Sequence, residues 1–68
     1  MKRDLLIELR AKRSQNKMAT IYGVTQQAWS MWELGINAPT PSMMKRLAID
    51  IGKPMEEIFF DVFNNHKS

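Results

Sequence analysis

The chain has 68 residues, 44% of them hydrophobic and 25% charged, with a formal net charge of +3 and no cysteine. That length supports one small domain with a modest core, dependent on well-packed helices or a partner, and the absence of cysteine excludes a disulfide framework and a thiolate zinc site. The apolar runs are too short to span a bilayer, and Asp4 and Glu8 interrupt MKRDLLIEL as a secretion signal.

Helical periodicity recurs along the sequence and strand-like alternation is never sustained, so the expected fold is all-α. A first helix is expected from about Lys2 to Lys12, with Leu5, Leu6 and Leu9 on one face and charged residues opposite. Ser14 is placed to cap a second helix, which turns Met18, Ala19 and Tyr22 inward and stops at Gly23. Thr25 caps a third, about Gln26 to Leu34, with Trp29 and Trp32 inward and Gly35 as its stop. After the loop INAP, Thr40 and Pro41 start a fourth helix, because proline at the first helical position gives up only an N–H without an intrahelical partner. Met44, Leu47, Ala48 and Ile51 fall at i, i+3, i+4 and i+7, a single apolar stripe closed by Gly52. Pro54 opens a fifth helix, with Glu56 and Glu57 at its positive end and Ile58 and Phe59 buried. The expected domain covers residues 1–63, and NNHKS at 64–68 reads as a frayed tail.

Charge is unevenly spread. Lys2, Arg3, Arg10, Lys12, Arg13 and Lys17 crowd the beginning, Lys45, Arg46 and Lys53 form a second group, and Glu56, Glu57 and Asp61 make the end acidic. By themselves such clusters point more often to solvated helix faces than to a polyanionic partner.

Residues 15–34, QNKMATIYGVTQQAWSMWEL, meet several constraints at once. Two short helices crossing steeply need a small side chain at the crossing, here Ala19. The turn needs a residue tolerant of positive φ, here Gly23, and Val24 after it must tuck into the core. Met18, Tyr22, Trp29 and Trp32 then share an interior, while Gln26, Gln27, Ser30 and Met31 point outward. This is the pattern of a helix-turn-helix. With LR at 9–10, SQNKMA at 14–19, YGVTQQ at 22–27, WSMWELG at 29–35, APTPSMMKRLA at 38–48 and IGKPMEEIF at 51–59, nearly the whole chain resembles the Cro/repressor-type helix-turn-helix regulators of phages and bacteria. The resemblance implies a compact five-helix domain, lambda-repressor-like. The helix starting at Gln26 would enter the major groove of B-DNA, and the one starting at Gln15 would lie across the backbone.

Gln26 and Gln27 are the sharpest candidates for base contact, since a glutamine carries a donor and an acceptor side by side and binds adenine N6 and N7 bidentately. The TQQ run is similar to that of certain lambdoid repressors, in which the matching glutamines read bases. Thr25 is expected to cap its helix, with sugar, phosphate or a thymine methyl as a second contact. Gln15 resembles the family's phosphate clamp. Ser30 and Met31 stand where relatives often carry longer polar or basic side chains; Met31 either packs on a thymine methyl or half-covers Trp32. Leu34 is a second departure, which moves phosphate contact to the backbone N–H groups from Gly35 to Ala38, to Asn37, and to Lys12, Arg13 and Lys17.

Arg10 and Glu33 look like the family's internal ion pair between the first and third helices. Trp29 and Trp32 are expected in the core rather than stacked on bases. Phe60, Val62 and Phe63 form either a dimer surface or a fold-back onto the core. His66 stands alone, and no Gly-rich loop, metal-ligand set or nucleophile–base pair is present in the sequence, so neither an enzyme nor a cofactor or small-molecule ligand is expected. The leading expectation is a cytoplasmic, homodimeric, sequence-specific regulator of double-stranded DNA, acting as a repressor. The second is a protein-interaction module of antitoxin type that grips its partner with Phe60 and Phe63.

Overall fold

Three hydroxyl side chains start three of the helices. In the computed structural model, which describes residues 2–63, Ser14 Oγ accepts from the Lys17 N–H at 3.0 Å, Thr25 Oγ1 from Ala28 at 3.0 Å and Thr40 Oγ1 from Met43 at 3.3 Å. They open α2 (Gln15–Tyr22), α3 (Gln26–Leu34) and α4 (Pro41–Ile51), which follow α1 (Asp4–Arg10). Each cap satisfies one of the N–H groups that the first turn leaves without a helical partner. Gly23 ends α2 at φ 71°, and the Val24 N–H returns to the Ala19 carbonyl at 2.9 Å. A Cβ at Gly23 would meet nothing within 4 Å, so glycine is needed there for its backbone conformation and not for space.

Two elements differ from the sequence expectation. The first helix spans Asp4–Arg10 rather than Lys2 to Lys12, because Arg3 and Ala11 leave helical geometry at either end. Ala11 takes φ 54° and ψ −120°, a conformation in which a Cβ is crowded. Ala11→Gly is therefore expected to raise stability by about 1 kcal/mol and the melting temperature by about 4–8 °C, read from a thermal melt followed by circular dichroism. The expected fifth helix is two, α5 (Met55–Ile58) and α6 (Phe60–Phe63), so six helices replace five among the described residues. The chain breaks at Phe59, with φ −114° and ψ 43°. The break separates Ile58, which faces the core, from Asp61, which reaches across the molecule to Arg3.

The core gathers Leu6, Met18, Ala19, Tyr22, Trp29, Trp32, Met44, Leu47, Ile58 and Phe59. Ala19 sits fully inside the contact between α2 and α3, where a larger side chain would push the helices apart. The Tyr22 ring stacks on Trp29 with centroids 5.5 Å apart, and Trp29 meets Trp32 at 5.7 Å with the rings tilted by 59°. Both tryptophans are core residues, as their spacing indicates. Val62 and Phe63 are half-buried against the same core, whereas Phe60 remains 43% exposed.

Arg3 is the largest departure from the sequence reading. Placed by composition in the basic N-terminal cluster, it is 1% exposed. Its guanidinium forms a bidentate pair with Asp61, Nε to Oδ1 at 3.0 Å and Nη2 to Oδ2 at 2.7 Å. Nη1 donates to the carbonyls of Trp32 at 2.7 Å and Asn37 at 2.8 Å, and the Arg3 N–H donates to the Glu33 carbonyl at 2.7 Å. The cation also lies 5.1 Å from the Phe59 ring centroid. A single side chain thus closes the negative end of α3, fixes the loop after it and holds α6.

A second polar link joins α2 to α4. The Tyr22 hydroxyl donates to Asp50 at 2.6 Å, and the Arg46 guanidinium covers the Tyr22 ring at 4.5 Å. Burial first, and the bond to Asp50 second, push the Tyr22 hydroxyl up to about 12. A group whose folded value lies above its unfolded one stabilises the fold below the unfolded value and loses that contribution as pH rises. Stability is expected to fall between about pH 10 and pH 12, and Tyr22→Phe to flatten that decline. Urea titrations at pH 9 and pH 11 on both proteins measure it.

Candidate nucleic-acid interface

The helix α3 divides its residues cleanly. Trp29, Trp32 and Glu33 are buried, Gln26, Gln27 and Leu34 are exposed, and Ser30 and Met31 are half-buried beside them. Gln26, Ser30 and Leu34 follow one another at i, i+4 and i+8, flanked by Gln27 and Met31, so all five share the outer face. Ser30 and Met31 are less open than their outward spacing alone suggests. Glu33 is the one charged residue of α3 and it is internal, so the outer face is polar and uncharged.

Thr25 caps this helix from an exposed position, leaving Gln26 and Gln27 in its first turn with no side-chain bond to the protein among the described residues. The Met31 sulfur lies 3.9 Å from Asn37 Nδ2, which brings the end of the helix face and the loop after it together. Leu34 is 42% exposed and Ile36 65%, a short apolar margin along that edge. Lys12 and Lys17 are exposed. Arg13, also exposed, folds back onto the C-terminal carbonyls of α1, with Nη2 2.7 Å from the Leu9 oxygen and Nε 3.3 Å from that of Arg10. Its charge is therefore partly committed to ending α1.

Gln15, the first residue of α2, is half-buried and donates from Nε2 to Glu33 Oε1 at 2.9 Å. Glu33 is the hub of the α1–α2–α3 junction. Its Oε2 also accepts from Arg10 Nε at 2.7 Å and from Trp29 Nε1 at 2.6 Å, and its Oε1 from Arg10 Nη2 at 3.1 Å. Burial pushes the carboxyl up, but the bonds from Arg10, Gln15 and Trp29 together outweigh it and hold the group below the ordinary glutamate value. The Arg10–Glu33 pair is as the sequence resemblance implies. The added bonds from Gln15 and Trp29 carry no sequence signal of their own, since neither residue type specifies its partner.

This geometry is that of a helix-turn-helix, and a helix-turn-helix family model matches residues 6–58. The chain belongs to the Cro/repressor-type helix-turn-helix family. No curated protein and no solved structure matches it. Members of this helix-turn-helix family are DNA-binding transcription regulators rather than enzymes, and this chain is a DNA-binding regulator of that kind. Among the described residues no group of three or more His, Cys, Asp or Glu is placed to hold a metal ion, and no helix is long and apolar enough to cross a membrane. Residues 64–68, with His66 and the expected frayed tail, lie outside the described residues.

Proposed function

We propose that the protein is a repressor that binds a short inverted repeat of double-stranded DNA as a homodimer, in the cytoplasm, with α3 in the major groove. Gln26 and Gln27 read adenine edges, Thr25 and Met31 meet sugar or thymine methyl groups, and Ser30 lines the same face. Gln15, Asn37, Lys12, Arg13 and Lys17 contact phosphates and set the register of the domain on the duplex. The observation that carries this reading is the pair of exposed, unengaged glutamines in the first turn of a helix whose inward positions are all committed to the core. Phe60 is the aromatic residue left open at the C-terminal end, and it supplies the centre of the proposed dimer contact, with Val62 and Phe63 half-buried at its side.

In vitro selection of duplexes from a random pool tests the reading, because enrichment reports base preference, symmetry and half-site spacing together. On the enriched duplex, Gln26→Ala/Gln27→Ala is expected to lose roughly 1–3 kcal/mol of discrimination per glutamine while non-specific binding persists. Binding unchanged in that variant removes base reading by the glutamines. With cations only beside α2 and none on the groove face, the dependence of affinity on salt is expected to be shallower than in relatives with a strongly basic groove helix. The uncharged face together with exposed Phe60 also fits the antitoxin-like interaction module. That reading prevails if nothing is enriched, even in low salt, and one protein partner is captured and then lost on Phe60→Ser.

A further inference from the structure

We propose that Glu33 is a positioning residue for recognition of the DNA backbone: it orients the Gln15 carboxamide so that one N–H of that amide is left for a phosphate oxygen. The proposal rests on Gln15 as a backbone contact. Glu33 is 2% exposed, near the end of α3, and its carboxylate accepts four hydrogen bonds, two on each oxygen. Four is the full complement of a carboxylate, so the group has no unfilled acceptor site and no free rotation. An ionised carboxylate only accepts. It therefore takes the nitrogen of the Gln15 amide and excludes the flipped arrangement in which the amide oxygen would face it.

The amide nitrogen carries two hydrogens. One is held by Glu33; Gln15 is half-buried rather than enclosed, and the proposal assigns the other to a phosphate oxygen. The same carboxylate is fixed to α1 through Arg10 and to the middle of α3 through Trp29. The start of the backbone-facing helix is thereby registered against the groove-facing one. A freely rotating glutamine at this position would have to order its side chain on binding, and the preformed bond removes that entropic cost.

The test measures affinity for the duplex enriched by the wild-type chain, by fluorescence anisotropy, at a temperature where circular dichroism shows each variant folded. Gln15→Ala and Glu33→Gln are each expected to weaken binding about tenfold, and the double variant to be no weaker than either single. Multiplying effects overturn the proposal and leave Glu33 a purely structural residue. If Glu33→Gln does not fold, the wild-type chain still decides. One side-chain amide proton of Gln15 is expected to be held by Glu33 in the free protein and the other to shift on addition of the enriched duplex, and a second proton that does not respond to the duplex overturns the proposal. If Gln15→Ala binds like wild type while Gln26→Ala/Gln27→Ala loses discrimination, the backbone role of Gln15 fails with the proposal and base reading stands.

Discussion

Arg3→Ala is expected to lower stability by about 3–5 kcal/mol, the range for stripping one partner from a buried ion pair. At about 0.05–0.15 kcal/mol per residue, a domain of this size has about 3–10 kcal/mol in total, so the variant loses a large fraction of its stability. Three losses combine. Asp61 keeps its charge without its bidentate partner, the Trp32 and Asn37 carbonyls lose a charged donor, and Phe59 loses the cation beside its ring. Urea denaturation gives the value. Arg3→Met/Asp61→Leu is expected to recover the part due to the stranded charge, which an apolar pair of similar volume removes, while the Trp32 and Asn37 carbonyls stay without their donor. A loss below about 1 kcal/mol in the single variant would mean that the pair behaves like an exposed one. The clamp also has a pH signature. Its hydrogen bonds hold the Asp61 carboxyl below the ordinary aspartate range, so their contribution is present above that range and is lost as pH falls through the folded value. In Arg3→Ala that acid-dependent loss is expected to be absent.

Arg10→Met is expected to have an effect of similar size, about 3–5 kcal/mol at neutral pH, for a related reason. Arg10 is partly exposed, but Glu33 is not, and the variant leaves that carboxylate with only the neutral donors Gln15 and Trp29 against its burial. The pH dependence should reverse sign. In the wild-type protein Glu33 titrates below its ordinary value, so its stabilisation exists above that value and disappears as pH falls. Without Arg10, burial dominates and the folded value rises above the unfolded one. Stability is then gained on acidification and lost as pH rises through the folded value. Denaturant midpoints from pH 7 to pH 4 on both proteins decide the matter, and a parallel decline in the two would show that Arg10 does not control the ionisation of Glu33.

Both experiments address contacts of different visibility in the sequence. The Arg10–Glu33 pair was legible through the family resemblance, and Trp29 and Trp32 through their spacing on the inner face of a helix. The caps at Ser14, Thr25 and Thr40 were legible because capping is local: a hydroxyl at the right position bonds an N–H three residues on, whatever the rest of the chain does. The outer face of α3 was legible for the same reason, since helical geometry alone puts Gln26, Gln27, Ser30, Met31 and Leu34 together. How open each position is was not legible, because the half-burial of Ser30 and Met31 depends on what packs alongside.

The all-α class, the helix-turn-helix over residues 15–34, the apolar interior and the glutamine-bearing face can all be read along the chain, because each is set by periodicities of three or four residues. The fate of Arg3 emerges only on packing, since composition places it among solvated bases and the fold buries it against a carboxylate 58 residues away. Packing likewise sets the break at Phe59 and the bond that ties Gln15 to Glu33, 18 residues apart. One cause underlies all three. Local propensities fix where helices start, stop and turn their apolar stripe, but a polar side chain's partner is chosen by which elements the packed core brings within about 3 Å. No spacing in the chain encodes that distance.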